Sequence, residues 1–315
     1  MKNFILILVI QFFLLSNSLA ANFHAIIIAD TNDSTIGSSV IIDKRKINTF
    51  TKNIARNTGL ILREQNIYGY NFNFNTIKRS LNSLSVRRDD VVMFYYSGHS
   101  SNAGAKWPAL NLKGRSLKLD NVISSLKAKK PRLLLIIADS CNNLTSRGSS
   151  LNSFMSLRGV QTAKKENYQK LFLKHKGIIV MGAARRGEYA WGNGQHGGFF
   201  TYQLLESLNT ELASSSPNWN QLVKRAEVPI RLPNGIVQHP QSEVRIKNFQ
   251  KTRPNLVPSG IEKCYYYYNN KGDLCCRKSS GTTCEQATIR GECPYYFYNR
   301  KGYLCCRRST GITCE

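Results

Sequence analysis

Acidic residues are the first shortage. The 315 residues hold 19 Asp and Glu against 44 Lys and Arg, a formal net charge of +25. Such an excess suits negatively charged partners, such as anionic lipid, cell-wall polymer or nucleic acid, and says nothing about fold. Long apolar runs are missing too. Past the leader nothing approaches the roughly 20 residues needed to cross a bilayer, which excludes a multi-span membrane protein. The composition, with 22 Gly and 9 Pro, excludes a collagen-like chain and a coiled coil. Cysteine is almost absent from the first 263 residues, where Cys141 stands alone. What is present is a hydrophobic fraction of 42%, enough for a real core.

Residues 1–20 read as a secretory signal. Lys2 is the charged start, Phe4–Leu15 is apolar apart from Gln11, and Ser18-Leu19-Ala20 offers small residues before a cut after Ala20. A membrane anchor would need a longer apolar run. The expectation is a secreted or extracytoplasmic chain, periplasmic in a Gram-negative cell, in a compartment that permits disulfides. Asn32-Asp33-Ser34 and Asn143-Leu144-Thr145 match the glycosylation pattern, a match that chance supplies often.

The remaining eight cysteines crowd the last 52 residues, in an internal repeat. Residues 264–285 read CYYYYNNKGDLCCRKSSGTTCE, and residues 293–315 read CPYYFYNRKGYLCCRRSTGITCE. Units this short cannot build a stable core alone, so two bridges in each are expected. They would use Cys264, Cys275, Cys276 and Cys284 in the first, and Cys293, Cys305, Cys306 and Cys314 in the second. Four cysteines allow three pairings, and the sequence does not choose. A zinc site is the competing use, disfavoured by export and by the lack of His in the units. Residues 251–260, with two Pro and a Ser-Gly, read as a linker. The domain plan is therefore a signal peptide (1–20), a main domain (21–250), the linker (251–260) and two Cys-rich repeats (261–285 and 291–315).

The main domain reads as alternating strands and helices. HAIIIAD (24–30), DVVMFYYSG (90–98), RLLLIIADS (132–140) and GIIVMGAA (177–184) are continuous apolar runs, the mark of buried parallel strands. Helical patterns fall at 43–57, 74–85, 120–129, 198–209 and 219–226, with Asp120 a candidate N-cap for the third. Such alternation argues for a parallel sheet with helices on both faces, and chemistry at the carboxyl ends of its strands.

Two strand ends carry reactive groups. The second strand runs into Ser97-Gly98-His99-Ser100, and the third into Asp139-Ser140-Cys141. If those strands are parallel neighbours, His99 and Cys141 emerge on one rim. A thiol needs a base to become a nucleophile near neutral pH, and His is the usual one. Alone, either residue reads as structural; together, 42 apart at matching strand ends, they predict a Cys–His dyad. Ser140 lacks the elbow motif that a serine nucleophile would need.

FYYSGHS and IIADSCNN resemble the His and Cys motifs of caspase-like cysteine peptidases, and of metacaspases above all. The AIIIAD strand followed by a helix from Asp43, the GGFFTYQLLESL segment (197–208) and HPQSE (239–243) are similar to that family in the same order. The resemblance covers about residues 23–247. It implies a caspase-like α/β fold with a mostly parallel six-stranded sheet, and cysteine-endopeptidase activity without a cofactor. It implies His99 as base and acid, Cys141 as nucleophile, and an oxyanion hole from the backbone N–H groups of Cys141 and Ser100. Metacaspases usually have Gly at the latter position, and a Ser can crowd the substrate carbonyl.

Caspases carry Gln two residues before the nucleophile and cut after Asp; this chain has Asp139 there, as metacaspases do. A carboxylate in the pocket attracts Arg or Lys, so the expected substrates are proteins or peptides with basic residues. Asp43 and Ser97 match other pocket positions, although the helix dipole alone would also favour an acid at the start of a helix. The stretch 142–176 is long for a loop. In the resembling family the chain is sometimes cut there, which makes Arg147, Arg158, Lys164 and Lys165 candidate autoprocessing points. Residues 100–119 contain no Asp or Glu, so no calcium site and no other metal is expected.

Each repeat also carries an aromatic run, 265–268 and 295–298, beside Asn-x-Lys-Gly. This suits contact with an anionic cell-surface or cell-wall polymer. The net charge of residues 261–315 is only +4, so most positive charge lies on the main domain and linker. Nucleic acid is not expected as a partner of an exported protein. The alternative function is a catalytically inactive secreted binding protein that acts through the repeats.

Overall fold

The computed structural model describes residues 20–143, 163–232 and 235–247, and the backbone of six short strands between 265 and 314. Its centre is a six-stranded sheet. The chain order is β1 (Asn22–Ala29), α1 (Gly37–Thr58), β2 (Ile61–Tyr68), α2 (Phe74–Ser83) and β3 (Val91–Ser97). Next come a small three-stranded sheet, β4 (Ser100–Ser101), β5 (Ala109–Leu112) and β6 (Arg115–Lys118), then α3 (Leu119–Ala128) and β7 (Leu133–Asp139). After these follow α4 (Lys165–Leu173), β8 (Gly177–Gly182), β9 (Gly192–Asn193), β10 (Gly197–Gly198), α5 (Phe199–Ala213) and α6 (Trp219–Ala226). The domain closes with β11 (Ile230–Arg231), β12 (Val237–Gln238) and β13 (Gln241–Ile246). The main sheet runs β13-β8-β7-β3-β1-β2, with all pairs parallel except β13 against β8.

Period-two alternation divides the core in two. Phe23, Ala25, Ile27, Val91, Met93, Tyr95, Leu133, Leu135 and Ile137 face the side covered by α1, α4, α5 and α6. Ile26, Ile28, Val92, Phe94, Tyr96, Leu134 and Ile136 face α2 and α3 on the other. Both faces are buried, which is why the strands read as unbroken apolar runs.

The four expected strands and five expected helices are present, with three differences. α1 starts at Gly37, not at Asp43. Asp43 therefore sits in its second turn, buried, where the dipole argument has little force. Lys118, not Asp120, occupies the N-cap position of α3; Asp120 lies in the first turn, where the dipole still favours an acid. The third difference lies in the stretch expected to be a long loop. Its residues 165–173 form α4. Beyond these three, the edge strand β2 carries no apolar run, since half of its sequence, ILREQNIY, is polar.

In the repeats, β14 (Tyr265–Tyr268), β15 (Leu274–Lys278) and β16 (Gly281–Glu285) form one antiparallel sheet. β17 (Tyr296–Tyr298), β18 (Leu304–Arg308) and β19 (Gly311–Cys314) form a second. Their registers set Cys275 opposite Cys284, and Cys305 opposite Cys314. Cys264 and Cys293 lie outside the described residues, as do Arg147, Arg158 and the proposed leader and linker, apart from Ala20.

α4 is anchored by Arg132, the residue before β7. The Arg132 guanidinium donates through Nη1 to the carbonyls of Phe172, Leu173 and His175 at 2.9, 2.9 and 3.1 Å, and through Nε to Asp89 O at 3.2 Å. The carbonyls of Phe172 and Leu173 are among those a helix end leaves without partners. Arg132→Met should therefore lower stability by about 2 kcal/mol, from the lost charge-assisted bonds. A urea titration followed by far-UV circular dichroism measures this; an unchanged midpoint would show that water replaces the guanidinium at no cost.

Candidate active site

The register places the site. Ser97 on β3 pairs with Asp139 on β7, so His99 and Cys141 each follow two residues after partnered strand ends. Both line one cleft, together with Ile36, Ser39, Asp43, Ala190 and Trp191 among others. The loop bearing His99 is fixed through its backbone. The His99 carbonyl accepts from Tyr96 Oη at 2.5 Å and from Asn111 N–H at 2.9 Å. A Cβ on Gly98 would lie 2.8 Å from Tyr96 Oη, so glycine keeps this turn close to the strand.

Cys141 is 4% exposed. Its thiol donates to the Ala190 carbonyl at 3.7 Å and accepts from Ala190 N–H at 3.4 Å. Burial pushes the thiol above its ordinary range; the Ala190 N–H opposes the shift and the charge of Asp139 adds to it. In this state the sulfur is a protonated thiol, and a base must take its proton before it can attack. Ser100 opens β4 and is fully buried, and its hydroxyl donates to the carbonyl oxygen of Cys141. The side chain expected to crowd the substrate thus ties the two loops together. Asn102 N–H, which donates to Asn143 O at 2.7 Å, adds a second tie.

Asp43 and Asp139 lie in the same cleft, 1% and 6% exposed. Asp43 Oδ2 accepts from Ser97 Oγ and Oδ1 from Gly198 N–H, both at 2.8 Å. Asp139 Oδ2 accepts from Thr201 N–H at 2.8 Å and Thr201 Oγ1 at 2.7 Å. Thr201 Oγ1 is in turn 2.6 Å from Tyr95 Oη. A Cβ on Gly197 would come within 2.1 Å of Asp43 Oδ1, and one on Gly198 within 2.1 Å of Asp139 Oδ2. Only two consecutive glycines let the chain pass this close to both carboxylates. Burial, and then the charge of Asp139, raises the Asp43 carboxyl well above its usual range. Burial raises Asp139 to about 6 against the opposing Thr201 bonds. Two carboxyls in a dry space resist ionising together, and a cation between them would relieve both.

The structure thus brings together five sequence-predicted residues, His99, Cys141, Asp139, Ser97 and Asp43, with Ser100 beneath them. Lys164 and Lys165 lie elsewhere, exposed at the start of α4, where Lys164 N–H donates to Leu212 O at 2.9 Å. Thr201, Gly197 and Gly198 were not singled out as site residues, although the GGFFTYQ motif contains all three. Asp33 and Thr35 were missed outright, because a β1–α1 loop carries no spacing signal. Among the described residues, no three His, Cys, Asp or Glu side chains gather as they would around a metal ion.

A family model for the caspase domain matches residues 50–252. The chain belongs to the caspase family. The match begins inside α1, so β1, Asp33 and Asp43 precede it. Among solved structures, the chain is similar to caspase-1 of Spodoptera frugiperda, at 14% identity and a TM-score of 0.46, over 71% of this chain and 87% of that one. It is also similar to a Geobacter sulfurreducens protein, at 13% identity and a TM-score of 0.45, over 70% and 92%. No curated protein gives a significant match. The family supports cysteine-peptidase chemistry in general, and this caspase domain carries a His and a Cys at its two central strand ends.

The carboxyl pair yields a stability test. Asp139 holds its proton more tightly in the folded chain, about 6, than at its ordinary value of 3.8. Its contribution is thus fully present below about 3.8 and is lost as pH rises through about 6. Asn cannot ionise, and its oxygen can keep both Thr201 bonds. Asp139→Asn should gain about 1–3 kcal/mol over wild type between pH 4 and pH 7.5. Thermal melts across that range measure it; equal melting temperatures at both ends would show that Asp139 ionises without strain.

Proposed function

We propose that this caspase-family protein is an exported, metacaspase-like cysteine endopeptidase that cleaves after Arg or Lys. The observation that carries the reading is the meeting of His99 and Cys141, from register-matched strand ends, above two buried carboxylates in one cleft. In this reading His99 takes the thiol proton and the sulfur of Cys141 attacks the substrate carbonyl. The backbone N–H groups of Cys141 and Ser100 face the tetrahedral oxyanion. The imidazolium then gives its proton to the leaving amine, and water, deprotonated by His99, hydrolyses the acyl-enzyme.

Specificity follows from charge. An Arg or Lys side chain entering beside Ser97 would sit between Asp43 and Asp139 and replace the proton they hold. An Asp side chain would add a third negative charge to a dry pocket. Asp139, where caspases have Gln, supports the metacaspase reading over a caspase-like one. Residues 1–20 supply export, the eight repeat cysteines form four disulfides, and the Tyr-rich repeats carry the enzyme to an anionic cell-surface polymer. Autoprocessing, if the enzyme performs it, follows the same rule, after Arg147, Arg158, Lys164 or Lys165.

Matched fluorogenic peptides ending in Arg, Lys, Asp and Asn test the reading. The expected result is hydrolysis of the Arg and Lys peptides only. Cys141→Ala and His99→Ala should each lose at least about a thousandfold, since the two act as a unit. Asp139→Asn should cut hydrolysis of the Arg peptide by about tenfold or more, as one member of a buried charge pair is removed. A preference for Asp or Asn would remove the specificity claim and leave the dyad standing. Full activity in either dyad variant would remove the dyad. Intact-mass analysis of the exported protein should show cleavage after Ala20, four disulfides and one free thiol; a thiol pair in either repeat would contradict the bridge count.

A further inference from the structure

We propose that Asp33 is a positioning residue for His99, fixing the tautomer in which Nε2 carries the proton and Nδ1 is left as the base. The catalytic consequence rests on the peptidase reading above; the geometry does not. His99 Nε2 lies 3.3 Å from Asp33 Oδ2 and 3.3 Å from Thr35 Oγ1. The Thr35 hydroxyl has one proton, and it points to Asp33 Oδ1 at 2.6 Å. Toward His99 it therefore shows a lone pair. Two acceptors facing one ring nitrogen require that nitrogen to donate, so the proton is on Nε2.

The carboxylate is itself held in place. Asp33 Oδ1 also accepts from the N–H groups of Thr35 at 2.8 Å and Ile36 at 3.0 Å. Burial works to raise the carboxyl, but the bonds from Thr35 and Ile36, with the nearby imidazole, hold it below its usual range. Its neighbour Asp30 is raised to about 6, by burial and then by the charge of Asp33. Asp33 is thus the ionised partner on that side of the ring. Tyr96 Oη and Asn111 N–H fix the His99 carbonyl, so the ring turns on a held backbone and only its side-chain partners decide which edge faces the cleft.

A purely structural role for Asp33 is also available, since it holds the N–H groups of Thr35 and Ile36 in the turn before α1. Asn separates the two roles. It accepts backbone N–H bonds in such a turn as well as Asp does, but carries no charge and can turn an amide N–H toward Nε2. The experiment uses the full-length protein labelled with 15N-histidine, at a pH where the imidazole is neutral, with His99 assigned by its loss in His99→Ala. Wild type should show the Nε2–H tautomer. Asp33→Asn should shift the His99 signals toward Nδ1–H, lower kcat on the Arg peptide by about ten- to a hundredfold with KM within about twofold, and leave the melting temperature close to wild type. Asp33→Glu should recover part of the kcat. Asp33→Ser, another uncharged acceptor in such a turn, gives the same reading should the Asn variant fold poorly. Wild-type nitrogen shifts and kcat in Asp33→Asn would overturn the proposal and leave Asp33 an anchor of the turn before α1. If the wild-type protein hydrolyses no peptide, the peptidase reading falls, while the nitrogen shifts still decide the role of Asp33.

Discussion

The register of three parallel strands is the constraint on which the cleft depends. Ala29, Ser97 and Asp139 stand level on β1, β3 and β7. Ser97 and Asp139 follow the parity of Tyr95 and Ile137, so they belong to the sheet face covered by α1 and α5. Those two helices supply Asp43 and Thr201, their hydrogen-bond partners. A slip of one residue would send each carboxylate or hydroxyl to the opposite face, among Tyr96, Ile136 and the aliphatic side chains of α3. The apolar packing of both faces forbids that slip. Hydrophobic burial thus positions the polar groups without touching them.

Putting two carboxylates into the same dry corner works against folding, and the surroundings show how the cost is limited. Each acid accepts two hydrogen bonds, and the glycine pair 197–198 lets the chain pass close enough for Gly198 N–H to reach Asp43 and Thr201 N–H to reach Asp139. The donors are neutral, so the negative potential is lowered but not cancelled. What persists is a site whose unmet electrostatic demand is for a cation. Cys141 sits beside this corner as a thiol, its proton kept partly by the same field. On the proposed reading, one arrangement therefore favours a basic substrate and keeps the proton on the sulfur.

How far the sequence could be read follows from the strength of each signal. β1, β3, β7 and β8 were legible because burial on both faces turns them into unbroken apolar runs. β2, on the sheet edge, needs no such run, and its Arg63, Glu64, Gln65 and Asn66 disguise it. α4 hides in a long basic stretch, where its buried Tyr168, Leu171 and Phe172 are too few to outweigh the lysines around them. His99, Cys141 and Asp139 could be found because they follow strands whose ends are readable. Asp43 was found by resemblance, but its place in the second turn of α1 was not, because Gly37, Ser38 and Ser39 look like loop rather than helix. Thr201 stood inside a quoted motif without a role, since nothing local distinguishes a threonine that bonds across the fold from one on a helix surface. Asp33 could not be found at all: its meaning lies in a partner 66 residues away in the chain.

α1 carries an implication for how this protein can be altered. The loop entering it brings Asp33 to the imidazole, and its second turn brings Asp43 to the pocket floor. On the proposed reading, Asp33 and Asp43, ten positions apart on one continuous stretch, serve the proton-transfer side of the cleft and the recognition side. A helix moves as a body, so an axial shift or a rotation that reshapes the pocket also displaces the group that sets the ring. On the proposed reading, broadening substrate choice by repacking α1 against the sheet would therefore carry a penalty in turnover, whereas α5 reaches Asp139 through Thr201, which makes no described bond to His99. Laboratory evolution of new cleavage preferences should find its independent degrees of freedom on the second helix rather than the first.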